Sequence, residues 1–259
     1  MSSESGCTGI KPSERKTIEE KTLREVLEWV ASDDPAPGGG SVAALSVAFA
    51  SALVEMVSRL TIGRRKFADV EADMNRTLTG AMDVKGKSLA LFDRDVEAFL
   101  DVMKAYALPK ETEAQKSARC LAIGKALFGA ARVPLDTLRN ALEVMRQAET
   151  AALKGNPNAI TDSTVAALLG EAALLGAAFN VKINLAGLKK LMSNAETAEA
   201  LKRRGPGGAD QTVADLASDQ GPIDEAAIKA IQDELDTSLK EAKAIKERVL
   251  ARLQEVIEG

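Results

Sequence analysis

Two stretches of the chain carry residue types and spacings that could do chemistry. One is Pro37-Gly38-Gly39-Gly40-Ser41, which opens directly onto the small and apolar run Val42 to Val54. A glycine turn feeding a helix N-terminus leaves backbone N–H groups unpaired, lets a ligand approach the backbone, and adds about half a positive charge from the helix dipole. Gly38, Gly39, Gly40 and Ser41 could therefore hold an anion or a strongly polar group; the same residues also fit a plain tight turn with Ser41 as N-cap. The other stretch is the acidic run Asp93, Asp95, Glu97 and Asp101. At 100° per residue, Phe92, Val96, Phe99 and Met103 share one side of a helix, and Glu97 and Asp101 lie opposite. Asp95 falls at the edge of the apolar stripe, beside Val102 and Tyr106. Partial burial disfavours the charged form of a carboxylate and raises its pKa, the tuning wanted in a general base or proton shuttle. Asp95 is thus the leading catalytic candidate, with an Arg pairing or a helix cap as the bland alternative.

The chain contains no histidine, which excludes Ser-His-Asp and Cys-His catalysis and histidine-ligated metal sites. Acid–base chemistry falls to Asp, Glu, Lys, Tyr or Cys. Lys110, just after Leu108-Pro109, could turn back toward a carboxylate or a bound anion, or stay solvated in its loop. Arg64, Arg65 and Lys66 form a local positive patch that could hold a carboxylate tail or complement the end of a helix. Asp162, after Gly155-Asn156-Pro157-Asn158, could bind substrate or act as an N-cap. Asn180 and Asn184 are polar at i and i+4 in an apolar setting, so they need partners from the protein or from a heteroaromatic ligand. Cys7 and Cys120 make no metal spacing and no disulfide framework.

The elements that must position these groups read as helices. The chain of 259 residues is 46% apolar and 28% charged but only 3% aromatic, so its core must be built from Ala, Leu, Val and Met, which suits close-packed helices. Periodicity and breakers give about seven helical segments: 17–31, 41–62, 68–107, 112–132 with a Thr112-x-x-Gln115 capping box, 134–155 beginning at Pro134, 161–192 and 222–258. The expectation is an all-α, single helical-bundle domain over 17–259, with a tail at 1–16 and a loop insertion at 203–222. The segments 41–62 and 161–192 are apolar nearly all round, so they should be central, with a second subunit completing their cover: a homodimer or higher homo-oligomer. The most apolar runs, 42–54 and 165–179, fall short of a bilayer span and read as core helices. A net charge of −4 argues against nucleic acid, and the absence of a secretory signal at residues 1–16, together with the sparse cysteines, fits a cytoplasmic protein.

Taken together, PGGGSVAAL at 37–45, LTIGRRKF at 60–67, DVEAF at 95–99, LPK at 108–110, VPL at 133–135, GNPNAITD at 155–162 and NVKINL at 180–185 resemble the cyclodeaminase/cyclohydrolase family of one-carbon folate metabolism. The resemblance spans roughly 150 residues. It implies an all-helical dimer with its folate site near the subunit interface, a catalytic aspartate at Asp95, and no cofactor beyond the tetrahydrofolate substrate. The implied activity is a methenyltetrahydrofolate cyclohydrolase, favoured because these residues include no formiminotransferase half; a formimidoyltetrahydrofolate cyclodeaminase is the alternative, and an inactive folate-binding scaffold a third. Asp95 would shuttle the proton with Lys110 tuning its charge, the glycine turn would hold polar groups of the substrate, and Arg64, Arg65 and Lys66 would contact its glutamate tail.

Overall fold

The computed structural model describes residues 16–202 and 223–259. The expected tail up to residue 15, with Cys7, and the expected insertion at 203–222 lie outside the described residues. Within them there are seven α-helices and no strand: α1 (Leu23–Val30), α2 (Gly39–Thr61), α3 (Glu71–Tyr106), α4 (Glu113–Lys154), α5 (Ile160–Met192), α6 (Ala195–Lys202) and α7 (Glu225–Glu258). The all-α expectation holds, although the helices are cut differently. The expected boundary at Pro134 is absent: α4 runs unbroken for 42 residues with Pro134 buried inside it. Proline deprives the carbonyl four residues back of its donor, here Ala130, and the Asn184 amide of α5 supplies that bond instead at 2.9 Å. The expected capping box is present, with Thr112 accepting from the Gln115 N–H and Gln115 reaching back to the Thr112 N–H. The short α6 was not foreseen.

Helices α2, α3, α4 and α5 form an antiparallel bundle in which α4 and α5 make the broadest interface. Gly170 of α5 sits so close to α4 that a Cβ there would lie 2.6 Å from Met145. Such approach is what the Ala and Gly content permits. On the far side, α7 runs parallel to α4, joined by a ladder of bidentate ion pairs: Arg139 to Glu234, Arg146 to Glu241, and Arg248 to Glu149. The core is aliphatic, centred on Leu138, Met145, Leu174, Leu188, Leu235 and Ile245. A smaller cluster of Ile18, Val26, Ala44, Leu91, Phe92, Val96 and Val133 packs the N-terminal segment onto α2, α3 and α4.

In α3 the buried stripe includes Phe92 and Val96 as expected, but Met103 is half exposed, while Ala105 on another face of the same turn is buried in the main core. Helices α2 and α5 are longer than the apolar runs that mark them. Both are long and apolar enough to cross a membrane by length and composition, contrary to the sequence expectation. Their most apolar windows are nevertheless 61% and 50% buried inside the protein, which fits core helices that keep one bare side. That side carries Val42, Phe49, Met56 and Leu60 of α2 and Val165, Leu168, Leu175, Phe179 and Ile183 of α5.

Candidate active site

The first turn of α2 meets the middle of α3. Gly38 is the N-cap, and the first intrahelical bond of the turn runs from the Val42 N–H to the Gly38 carbonyl at 3.0 Å, so the N–H groups of Gly39, Gly40 and Ser41 begin the helix unpaired within it. Ser41 is therefore not the N-cap. It is the third helical residue, and its hydroxyl donates to Asp95 Oδ2 at 2.7 Å. A Cβ on Gly40 would stand 2.5 Å from Asp95 Oδ1 and 2.7 Å from Oδ2. The carboxylate thus occupies space that only glycine leaves open, and the group that sits against the glycine turn is the protein's own Asp95. The other glycines differ: nothing lies within 4 Å of a Cβ at Gly38, and one at Gly39 would meet only Asn180 Nδ2 at 4.0 Å.

Two opposing influences set the Asp95 carboxyl. Burial is the larger and pushes its pKa up; the hydroxyl and main-chain N–H of Ser41 pull it down, and the net direction is upward. No charged group among the described residues contributes to this shift. Asp93, two residues earlier on the same helix, is also raised by burial, against the pull of the Ile18 N–H. Its two oxygens accept that N–H at 3.1 and 3.2 Å, clasping the 3₁₀ turn Ile18–Glu20 onto α3. Neighbouring carboxylates on one helix therefore have different work, Asp93 tied to the backbone and Asp95 tied only to a hydroxyl and a turn.

Asn180 faces Gly39, and its Nδ2 donates to the Gly176 carbonyl at 2.9 Å. Both N–H bonds of the Asn184 amide are spent inside the protein, on Ala130 O at 2.9 Å and Asn180 O at 3.0 Å, so of the partners the sequence left open this nitrogen takes protein groups and bridges α4 and α5. Lys110 is exposed beyond the end of α3, and the 11 residues from Asp95 to Tyr106 put about 16 Å of helix between that end and the carboxylate. It is not among the groups that shift the Asp95 carboxyl. Arg64, Arg65 and Lys66 are exposed past the other end of α2, about 33 Å along its axis from the glycine turn, with the Lys66 ammonium over the Phe67 ring. Asp162 sits at that same end in the first turn of α5, where Ala159 is the N-cap; its carboxylate complements the helix dipole instead of capping. There the Asn156 N–H donates to Thr61 Oγ1 at 2.9 Å, tying the GNPN loop to α2. The residues expected in one site, Lys110 aside, thus divide into two clusters at opposite ends of the α2/α5 pair. Sequence reasoning had both Ser41 and Asp95 but not their contact, which spans 54 positions and leaves no local signal.

These elements coincide with a known family. The formiminotransferase-cyclodeaminase model matches residues 22–203. The chain belongs to the formiminotransferase-cyclodeaminase family. Among curated relatives, the family member named methenyltetrahydrofolate cyclohydrolase from Methylorubrum extorquens is 45% identical over 168 residues, 65% of this chain and 81% of that protein. Formimidoyltransferase-cyclodeaminase from Sus scrofa is 38% identical over 165 residues, 64% of this chain but only 30% of that longer protein. A solved family structure, formiminotetrahydrofolate cyclodeaminase from Thermotoga maritima, superposes with a TM-score of 0.70 at 28% identity, covering 93% of this chain and 99% of the other.

Proposed function

We propose that this protein is a methenyltetrahydrofolate cyclohydrolase, converting 5,10-methenyltetrahydrofolate and water to 10-formyltetrahydrofolate. The observation that carries the reading is the Asp95 carboxyl, desolvated and held by Ser41 against the first turn of α2 without an ion partner. Such a group can take and return a proton and stabilise a cation. Water adds to the cationic methenyl carbon and passes a proton to Asp95, leaving a tetrahedral carbon bonded to N5, N10 and a hydroxyl. The bond to N5 then breaks, N5 receives the proton from Asp95, and the hydroxyl proton leaves to solvent as the formyl C=O forms. The cationic substrate loses one charge overall, and one proton is released. No cofactor beyond the tetrahydrofolate substrate enters this scheme, and we place it in the cytoplasm.

The bare apolar side of α2 and α5 supports a homodimer, since monomers rarely leave so much contiguous aliphatic surface in water. A two-fold axis in that interface and perpendicular to the helices would bring the Arg64–Lys66 turn of a second copy beside Asp95. That arrangement restores the proposed contact with the glutamate tail, which one chain cannot make across about 33 Å of helix.

Cyclodeaminase activity is the second reading, favoured by the near-complete overlap with the Thermotoga maritima protein. The deciding experiment follows the methenyl chromophore with 5,10-methenyltetrahydrofolate, beside ammonia release from 5-formiminotetrahydrofolate. Rapid bleaching without comparable ammonia release establishes the hydrolase; ammonia with methenyl accumulation establishes the cyclodeaminase; tight folate binding with silence on both substrates establishes a scaffold.

A further inference from the structure

Pro134 has no N–H, so the Ala130 carbonyl one turn earlier loses the partner an α-helix would give it. Ala130 is 8% exposed, and a carbonyl buried there needs a donor. The donor is Asn184, reaching from α5 at 2.9 Å with one N–H while the other closes on Asn180 O at 3.0 Å. The proline and the asparagine, 50 positions apart in the chain, therefore complete one another, and the bond they create pins a particular turn of α5 to a particular turn of α4.

Both ends of this pin lead to Asp95. On α5, the pinned turn contains Asn180, whose side chain faces Gly39 in the turn that abuts the carboxylate. On α4, Val133, immediately before the proline, packs in the cluster with Ala44 and Val96, near neighbours of Ser41 and Asp95 in the chain. A slip of α5 along α4 would shift one support of the site against the other. The short Asn side chain reaches only one carbonyl of the facing helix, so the bond adds a directional constraint to the register that the close approach of Gly170 to Met145 already favours.

We propose that Asn184 is a positioning residue: it supplies the hydrogen bond that Pro134 withholds from Ala130, and thereby sets the register of α4 and α5 beneath Asp95, instead of binding substrate. This rests on Asp95 being the catalytic group; the pairing itself does not.

The test is a double-mutant cycle of Asn184→Leu and Pro134→Ala, each variant characterised by thermal melting and, below its melting temperature, by kcat and KM. In the parent background, Asn184→Leu strands the buried carbonyl; a lowered Tm and a roughly tenfold fall in kcat with KM nearly unchanged are expected. In the Pro134→Ala background the substituted residue brings its own N–H to the Ala130 carbonyl, so Asn184→Leu should cost less than half as much in both Tm and kcat. Should Asn184→Leu alone be insoluble, solubility of the double variant is the same rescue. Equal losses in both backgrounds, or a loss carried by KM that Pro134→Ala does not rescue, would overturn the proposal, the latter making Asn184 a substrate contact. The melting cycle needs no substrate, so coupling in Tm without turnover would separate failure of the proposed reaction from failure of the pairing.

Discussion

Asp95 gathers its properties from contacts that stabilise little. Burial raises its pKa above the usual aspartate value, so the folded protein holds the Asp95 proton more tightly than the unfolded chain. As pH rises from the unfolded value through the folded one, the native state loses stability relative to the unfolded state, and above that window the whole cost is present. Asp95→Asn removes the titration while still accepting from Ser41. It should lower kcat about 10²- to 10⁴-fold, the usual worth of general acid–base catalysis. Its Tm should not fall, and its Tm advantage over the parent should widen with pH across that window; a Tm well below the parent at neutral pH would contradict the assignment. Because the reaction needs the ionised carboxylate, the acid limb of the parent kcat/KM profile should lie above the ordinary aspartate value. Gly40→Ala places a methyl within van der Waals overlap of the carboxylate and should cost about 10²-fold in kcat/KM, the scale of a misplacement near 1 Å. Gly38→Ala meets nothing and should leave kcat/KM nearly unchanged, so steady-state kinetics on the pair separate space for Asp95 from the flexibility of the turn.

Between elements, polar contacts divide by burial. The α4/α7 ladder is exposed, so each pair should contribute about 0.5 kcal/mol despite bidentate geometry. Arg146→Ala should lower stability by about that much, and urea melts in high salt should erase the difference. Glu55 of α2 is another matter: its side chain is 9% exposed, and Lys85 of α3 lies 2.6 Å from it, with Arg59 farther off at 3.7 Å. Lys85→Met would remove the nearer counter-charge of a buried carboxylate and should cost more in a urea melt than Arg146→Ala. The α2/α3 packing that this pair holds is the same packing that sets Ser41 against Asp95, so kcat should also fall in Lys85→Met and not in Arg146→Ala.

At the scale of the whole molecule, the described residues carry a bare apolar stripe along α2 and α5, with Phe179 66% and Ile183 69% exposed. A charge placed there should oppose burial against a second copy without disturbing the core of the bundle. Light scattering of Phe179→Asp and Ile183→Asp should show the monomer mass where the parent shows a dimer. If the second copy completes the site, turnover should fall with dissociation. A parent that is already monomeric would remove the dimer from the reading and leave the Arg64–Lys66 patch without a role at Asp95.

Composition and periodicity determined that this chain is a helical bundle and that Asp95 sits where apolar and polar faces meet, because burial pattern and helix period are written residue by residue; that α4 lies at the centre while α2 and α5 each keep a bare side was not written there. The family motifs likewise stand in the linear order of the chain. Only the tertiary structure decided which of them meet. Antiparallel packing of α2 and α5 sends PGGGS and NVKINL to one end and RRK and the Asp162 turn to the other, and no spacing along the chain encodes that separation. Pro134 shows the limit most plainly. Locally it reads as a helix boundary, since proline removes a donor; the helix continues because the missing bond is made by Asn184, far along the chain, whose place beside it exists only after the bundle has packed.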